Sequence, residues 1–166
     1  MRKLLLNTLF FLGLVSCKSP DVESRSYHLM LQSILDNNVP VLSVAQLKDN
    51  KDIILLDARQ REEFDVSHIP NACYVGFEDF DLASVVHLDK HQPIVVYCSI
   101  GYRSEEITRQ LLDYGFEDVR NLYGGIFEWV NQGHELVDNQ GQKTSRIHPY
   151  SSTWSIWLRK GEKAYQ

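Results

Sequence analysis

One run of residues carries the clearest chemical potential in this 166-residue chain: Cys98-Ser99-Ile100-Gly101-Tyr102-Arg103-Ser104. It follows the apolar stretch Pro93-Ile94-Val95-Val96-Tyr97 and precedes a segment in which Ile107, Leu111 and Tyr114 share one helical face. A buried strand therefore delivers Cys98 to its carboxyl end, a short loop turns, and a helix begins. Backbone N–H groups in such a loop can converge on one point as an anion-binding nest. The helix N-terminus adds unpaired donors and partial positive charge. Gly101 permits the backbone angles a tight curl needs, and Arg103 supplies a planar cation. Each feature favours thiolate over thiol and makes Cys98 the candidate nucleophile. Ser99, Ile100, Gly101, Tyr102, Arg103 and Ser104 form the candidate substrate-binding loop. A cysteine after a strand is otherwise a small buried hydrophobe; the order strand, Cys, Gly, Arg, helix argues for chemistry instead.

The elements that must position this loop alternate. Tyr27 to Leu35 has helical spacing, and Ser43 caps a turn over Val44 to Leu47. Val39 to Leu42 reads as an edge strand because of Pro40. Ile53-Ile54-Leu55-Leu56 is an apolar run suited to a buried parallel strand. Arg61 to Phe64 is a helical turn, and Ala72 to Val75 is a short strand in which Cys73 is expected to be packed. Phe77 to Leu88 reads as partly helical. The helix from Arg103 ends at Gly115, which supplies the left-handed C-cap residue. A strand over Val119 to Leu122 and a helix over Gly125 to Asn131 follow. This alternation predicts an α/β fold, an open, mostly parallel sheet flanked by helices on both faces. Ligands of such sheets lie at the carboxyl ends of strands, which points again to the residues after Tyr97. Beyond Gly133 the pattern weakens; Trp154, Trp157 and Leu158 are expected to pack back on the domain, with an exposed partner patch as the alternative.

Composition bounds the rest. The chain is long enough for one domain with a sizeable core. It carries 17 Lys+Arg against 22 Asp+Glu, a net charge of −5, with no basic block. That argues against nucleic acid as a partner, since neutralising phosphates needs clustered cations. Three cysteines cannot staple a small secreted scaffold. His87 and His91 are four apart but lack an accompanying Cys or Glu, so no metal site is expected. At the start, Arg2 and Lys3 precede an apolar stretch running from Leu4 to Val15, which reads as a signal peptide over residues 1–16. Leu14-Val15-Ser16-Cys17 resembles the bacterial lipobox, in which the cysteine is lipidated. That resemblance implies a lipid anchor at Cys17, a tether over residues 17–26, and a domain on the outward or periplasmic side of a bacterial envelope membrane.

Four ordered segments carry a second resemblance. They are Leu56-Asp57-Ala58-Arg59 through Glu63-Phe64; Ser67-His68-Ile69-Pro70-Asn71-Ala72; Cys98 through Ser104; and Gly115-Phe116-Glu117-Asp118-Val119 with Leu122-Tyr123-Gly124-Gly125-Ile126 and Trp129. Together they resemble the rhodanese (sulfurtransferase) family in its single-domain form. Ser67 and Asn71 stand where that family usually has Gly. The resemblance implies a rhodanese-like domain over residues 27–136 and a C-terminal extension over residues 137–166. It implies that Cys98 takes a sulfane sulfur from a donor such as thiosulfate or a persulfide, becomes a persulfide, and passes the sulfur to a thiol or protein cysteine. Arg103 would help hold the anionic donor, while Asp57, Arg59 and His68 would support nearby loops. No metal or organic cofactor is implied. In that family four residues between Cys and Arg, as between Cys98 and Arg103 here, accompany sulfur transfer. One more residue accompanies phosphatase or arsenate-reductase activity. A non-catalytic binding or regulatory module on the same fold is the other alternative.

Overall fold

The computed structural model describes residues 22–36, 38–50 and 52–165. The expected signal peptide and Cys17 lie outside the described residues. Five strands form one parallel sheet: β1 (Val41–Leu42), β2 (Ile54–Asp57), β3 (Cys73–Tyr74), β4 (Ile94–Tyr97) and β5 (Val119–Leu122), in the order β1-β5-β4-β2-β3. Among the described residues, five α-helices accompany it: α1 (Arg25–Ile34), α2 (Val44–Lys48), α3 (Arg61–Val66), α4 (Tyr102–Asp113) and α5 (Gly125–Asn131). The strand bearing the cysteine is the middle of the five and is buried throughout.

Side chains of β4 alternate between two apolar clusters, as the period of a strand requires. Ile94 and Val96 pack with Ile107 and Leu111 of α4, on one face. Val95 and Tyr97 pack with residues of α1, α2 and α5, on the other. Both faces are therefore covered, which is why β4 is apolar without interruption. The α/β architecture expected from the alternation is the one observed.

Several local expectations change. α1 starts at Arg25 with Ser24 as its cap, and the Glu23 N–H donates to Glu128 Oε1 at 2.7 Å. The polar stretch expected as a tether through Ser26 is thus folded from Val22 onward. Cys73 is exposed, not packed, because β3 is the sheet edge and pairs with β2 alone. Residues 77–88 form only a 3-10 turn, Leu82–Ser84. Their packed residues Phe77, Phe80, Val85 and Leu88 leave a gap of five that breaks a helical face. Asn71 sits at φ 66, a conformation asparagine tolerates. Ser67 is extended at φ −174, so the turn asks nothing of it that only glycine could give.

The segment after Gly133 is ordered into small elements. A hairpin of β6 (Leu136–Val137) and β7 (Lys143–Thr144) bridges back to His68. A parallel pair of β8 (Arg146–Ile147) and β9 (Glu162–Lys163) brackets a 3-10 turn, Trp154–Trp157. Ile147 and Leu158 are fully inside the core, and Trp157 stacks on Tyr27 with ring centroids 5.5 Å apart.

Candidate active site

Cys98 directly follows Tyr97, the last residue of β4, on the way to α4. The loop is held from behind by α5: Ile126 N–H donates to the Cys98 carbonyl at 2.9 Å, and Phe127 N–H donates to the Ser99 carbonyl at 3.1 Å. This close approach needs Gly125, since a Cβ there would lie 2.4 Å from the Cys98 carbonyl oxygen and 2.6 Å from that of Ser99. With both carbonyls drawn toward α5, the amides of the same trans peptides face away from it. Gly101, at φ 113, forms the N-cap of α4, and its N–H donates to Cys98 Sγ at 3.2 Å. Asn121 fixes that turn by donating to the Gly101 carbonyl at 2.9 Å.

Cys98 is 1% exposed, yet it lines a cavity of about 350 Å³. The other walls come from Ser99, Ile100, Tyr102 and Arg103 of the loop, from Gln60, Phe77 and Glu78, and from Ile34, Tyr150 and Trp154. Two members of the expected loop stand apart from that lining. Gly101 contributes its amide. Ser104 faces away, donating to Asn121 Oδ1 at 2.7 Å inside the core.

Arg103 is the expected cation, but its charge is already paired. Its Nη1 donates to Glu63 Oε2 at 2.7 Å and its Nη2 to Glu63 Oε1 at 2.9 Å. Ser99 Oγ donates to Glu63 Oε1 at 2.8 Å and accepts from Arg103 Nη2 at 3.0 Å. Burial works against the Arg103 charge, but Glu63 and the nearby Cys98 outweigh it and raise its pKa above the ordinary value. Burial likewise opposes the Glu63 charge, and its bond to Arg103 more than reverses that, holding the carboxyl below the usual range. The Tyr150 ring lies over the guanidinium, 4.7 Å from its carbon. Arg103 is therefore half of a buried ion pair and not a free cation for an anionic donor. The reason is bidentate geometry: the planar fork meets a carboxylate that α3 presents.

Asp57, Arg59 and His68 lie outside the cavity. Arg59, fully buried, donates from Nη2 to Asp57 Oδ2 at 2.6 Å and to the Ser67 carbonyl at 2.7 Å. This ties the end of β2 to the turn after α3. His68 stacks on Phe64 at 3.9 Å, and its backbone pairs with Val137. Glu63 and Gly125 were present in the quoted motifs without a role. The acid at Glu63 could have been matched to Arg103, because a buried arginine needs a partner. Tyr150 and Trp154 had their signal in the aromatic residues of the tail.

The rhodanese-like domain family matches residues 41–132. The chain belongs to the rhodanese-like domain family. A thiosulfate sulfurtransferase from Coxiella burnetii is 31% identical over 88 residues, covering 53% of this chain and 81% of that protein. A tRNA uridine(34) hydroxylase from Photorhabdus laumondii is 33% identical over 97 residues, covering 55% of this chain. The chain spans 28% of the length of that hydroxylase. Among solved structures, the rhodanese-like domain of an Anabaena protein superimposes with a TM-score of 0.56 at 26% identity, covering 60% of this chain and 79% of that one. This is a rhodanese-family domain with sulfurtransferases among its homologues.

Proposed function

We propose that the protein is a sulfurtransferase that carries sulfane sulfur as a persulfide on Cys98. One observation carries this reading: the Gly101 N–H at the start of α4 donates to Cys98 Sγ, on a cysteine that lines a cavity. That amide holds the sulfur at the start of α4, where unpaired N–H donors and the partial positive charge of the helix can meet negative charge as the sulfur reacts. Cys98 attacks the outer sulfur of a donor; an S–S bond forms on Cys98 and the donor's S–S bond breaks, releasing sulfite when the donor is thiosulfate. A second thiolate or another thiophile then takes that sulfur and regenerates Cys98. Two separate half-reactions through a covalent intermediate give ping-pong kinetics. The chemistry needs the Cys98 thiolate, a donor that already carries sulfane sulfur and a thiophilic acceptor.

The C. burnetii relative, whose length the chain largely covers, supports sulfur transfer more directly than the hydroxylase, of which the chain spans under a third. The test is intact mass after exposure to sulfur donors, with and without cyanide. The wild type gains one sulfur atom and loses it to cyanide. Cys98→Ser gains none while keeping its fold. Absence of the adduct and of turnover in the wild type would favour a binding module.

We further propose that Cys17 is lipidated and holds the domain at the outer side of a bacterial envelope membrane. The support is the apolar run ending in Leu14-Val15-Ser16-Cys17. Cys17→Ala should move the protein from the membrane to the soluble fraction; continued membrane fractionation would refute the anchor.

A further inference from the structure

The side chains of the cavity offer little to attract a doubly charged anion. Arg103 is the cation among its lining residues, and both of its terminal nitrogens are bonded to Glu63. Glu78, exposed on the wall, adds a negative charge. The remaining lining is largely apolar or aromatic: Ile34, Phe77, Ile100, Tyr102, Tyr150 and Trp154. About 350 Å³ is far more than a four-oxygen-sized ion occupies, and falls in the range of roughly 300–1,000 Å³ that holds organic ligands.

Three of these walls lie outside the family-matched residues 41–132. Ile34 comes from α1, and Tyr150 and Trp154 from the C-terminal extension. Tyr150 is held at φ 61, a left-handed conformation uncommon for a tyrosine, with its ring over Arg103. Such a backbone persists only where its surroundings enforce it. The additions to the family domain thus cover the cysteine loop with apolar surface.

We propose that the preferred donor is an organic sulfane-sulfur compound: an apolar group attached through sulfur, with at most one negative charge, taken in preference to the thiosulfate dianion. The assignment rests on the sulfurtransferase reading above. An organic persulfide fits it. The Cys98 thiolate attacks the outer sulfur of R–S–SH, the S–S bond of the donor breaks, and R–S⁻ leaves with the electron pair, giving Cys98–S–SH. A thiosulfonate reacts in the same way: attack on the terminal sulfur of R–SO2–S⁻ expels R–SO2⁻. No oxidant or reductant is needed. The apolar body rests against Trp154 and Phe77, and its desolvation provides binding that an inorganic ion cannot offer.

Benzenethiosulfonate and thiosulfate are the probes, compared by kcat/KM and by sulfur loading of Cys98 in the full-length protein. Because the two leaving groups differ in reactivity, the deciding quantity is the change in their ratio between variants. Trp154→Ala lowers the ratio of benzenethiosulfonate to thiosulfate about tenfold, the loss of one aromatic contact surface. Glu63→Gln, which keeps the shape but removes the charge that neutralises Arg103, raises the use of thiosulfate relative to benzenethiosulfonate about tenfold. Glu78→Gln, an exposed substitution that leaves the core intact, shifts the ratio in the same direction. If both donors load Cys98 and none of the three variants moves the ratio, the donor assignment is overturned while sulfur transfer stands. If neither donor loads Cys98, both readings are overturned.

Discussion

At the scale of single residues, Glu63 has the widest reach. It joins α3 to the cysteine loop through Arg103 and Ser99, and accepts a hydrogen bond from the Gln60 N–H through Oε2 at 3.1 Å. Its carboxyl is held below the usual carboxylate range because the pairing with Arg103 outweighs the effect of burial. A lowered carboxylate pKa adds stability that is fully present above the unfolded-state value and is lost as pH falls through the folded-state value. The stability of the wild type should therefore fall progressively below about pH 4.5, with part of the slope missing in Glu63→Gln. Urea midpoints from pH 6 down to pH 3 measure this; parallel profiles for the two proteins would contradict it. Glu63→Ala should cost about 3–5 kcal/mol, since it leaves a buried guanidinium without its partner. The nucleophile Cys98 was legible from residue order alone, because strand, cysteine and helix-start each have a local signature. The fate of Arg103 was not, since its partner lies 40 residues earlier and only the folded sheet brings them together.

At the scale of elements, the cysteine loop is shaped by two helix starts. α4 supplies the Gly101 amide in front, and α5 supplies the Ile126 and Phe127 amides behind. Gly125→Ala tests the second support. The added methyl would meet backbone atoms of three loop residues, at 2.4 Å from Cys98, 2.6 Å from Ser99 and 2.7 Å from Ile100. The loop must shift, and a displacement near 1 Å reduces catalysis about a hundredfold. Sulfur-transfer rates, alongside circular dichroism, measure it; an unchanged rate would mean that the loop does not depend on α5. The five strands and five helices of the sheet layer were readable because apolar runs, caps and C-terminal glycine recur at helical or strand spacing. The two-residue strands after Gly133 were not. Such short segments carry no period, and they are held by pairing with distant partners such as His68.

At the scale of the whole molecule, the C-terminal extension belongs to the core. Ile147 and Leu158 are buried, and Asn131, itself fully buried, accepts from the Arg159 N–H at 2.8 Å and donates to the Trp157 carbonyl at 2.9 Å. Ending the chain at Ser145 should cost about 3–6 kcal/mol from the two aliphatic side chains alone. That is a large share of the roughly 5–15 kcal/mol that keeps a domain folded. A much lower urea midpoint is expected for the truncated chain; an unchanged one would show the extension to be an appendage. The same long reach appears at the start of the chain. Val41 pairs with Asn121, Leu42 pairs with Leu122, and Tyr27 donates through its hydroxyl to the Gly124 carbonyl at 2.8 Å. During synthesis the first helix and first strand thus leave the ribosome long before their partners exist. The nascent polypeptide holds greasy, unpaired surface on these two elements until β5 is translated, so in a stalled fragment ending before β5 the first strand has no edge to join.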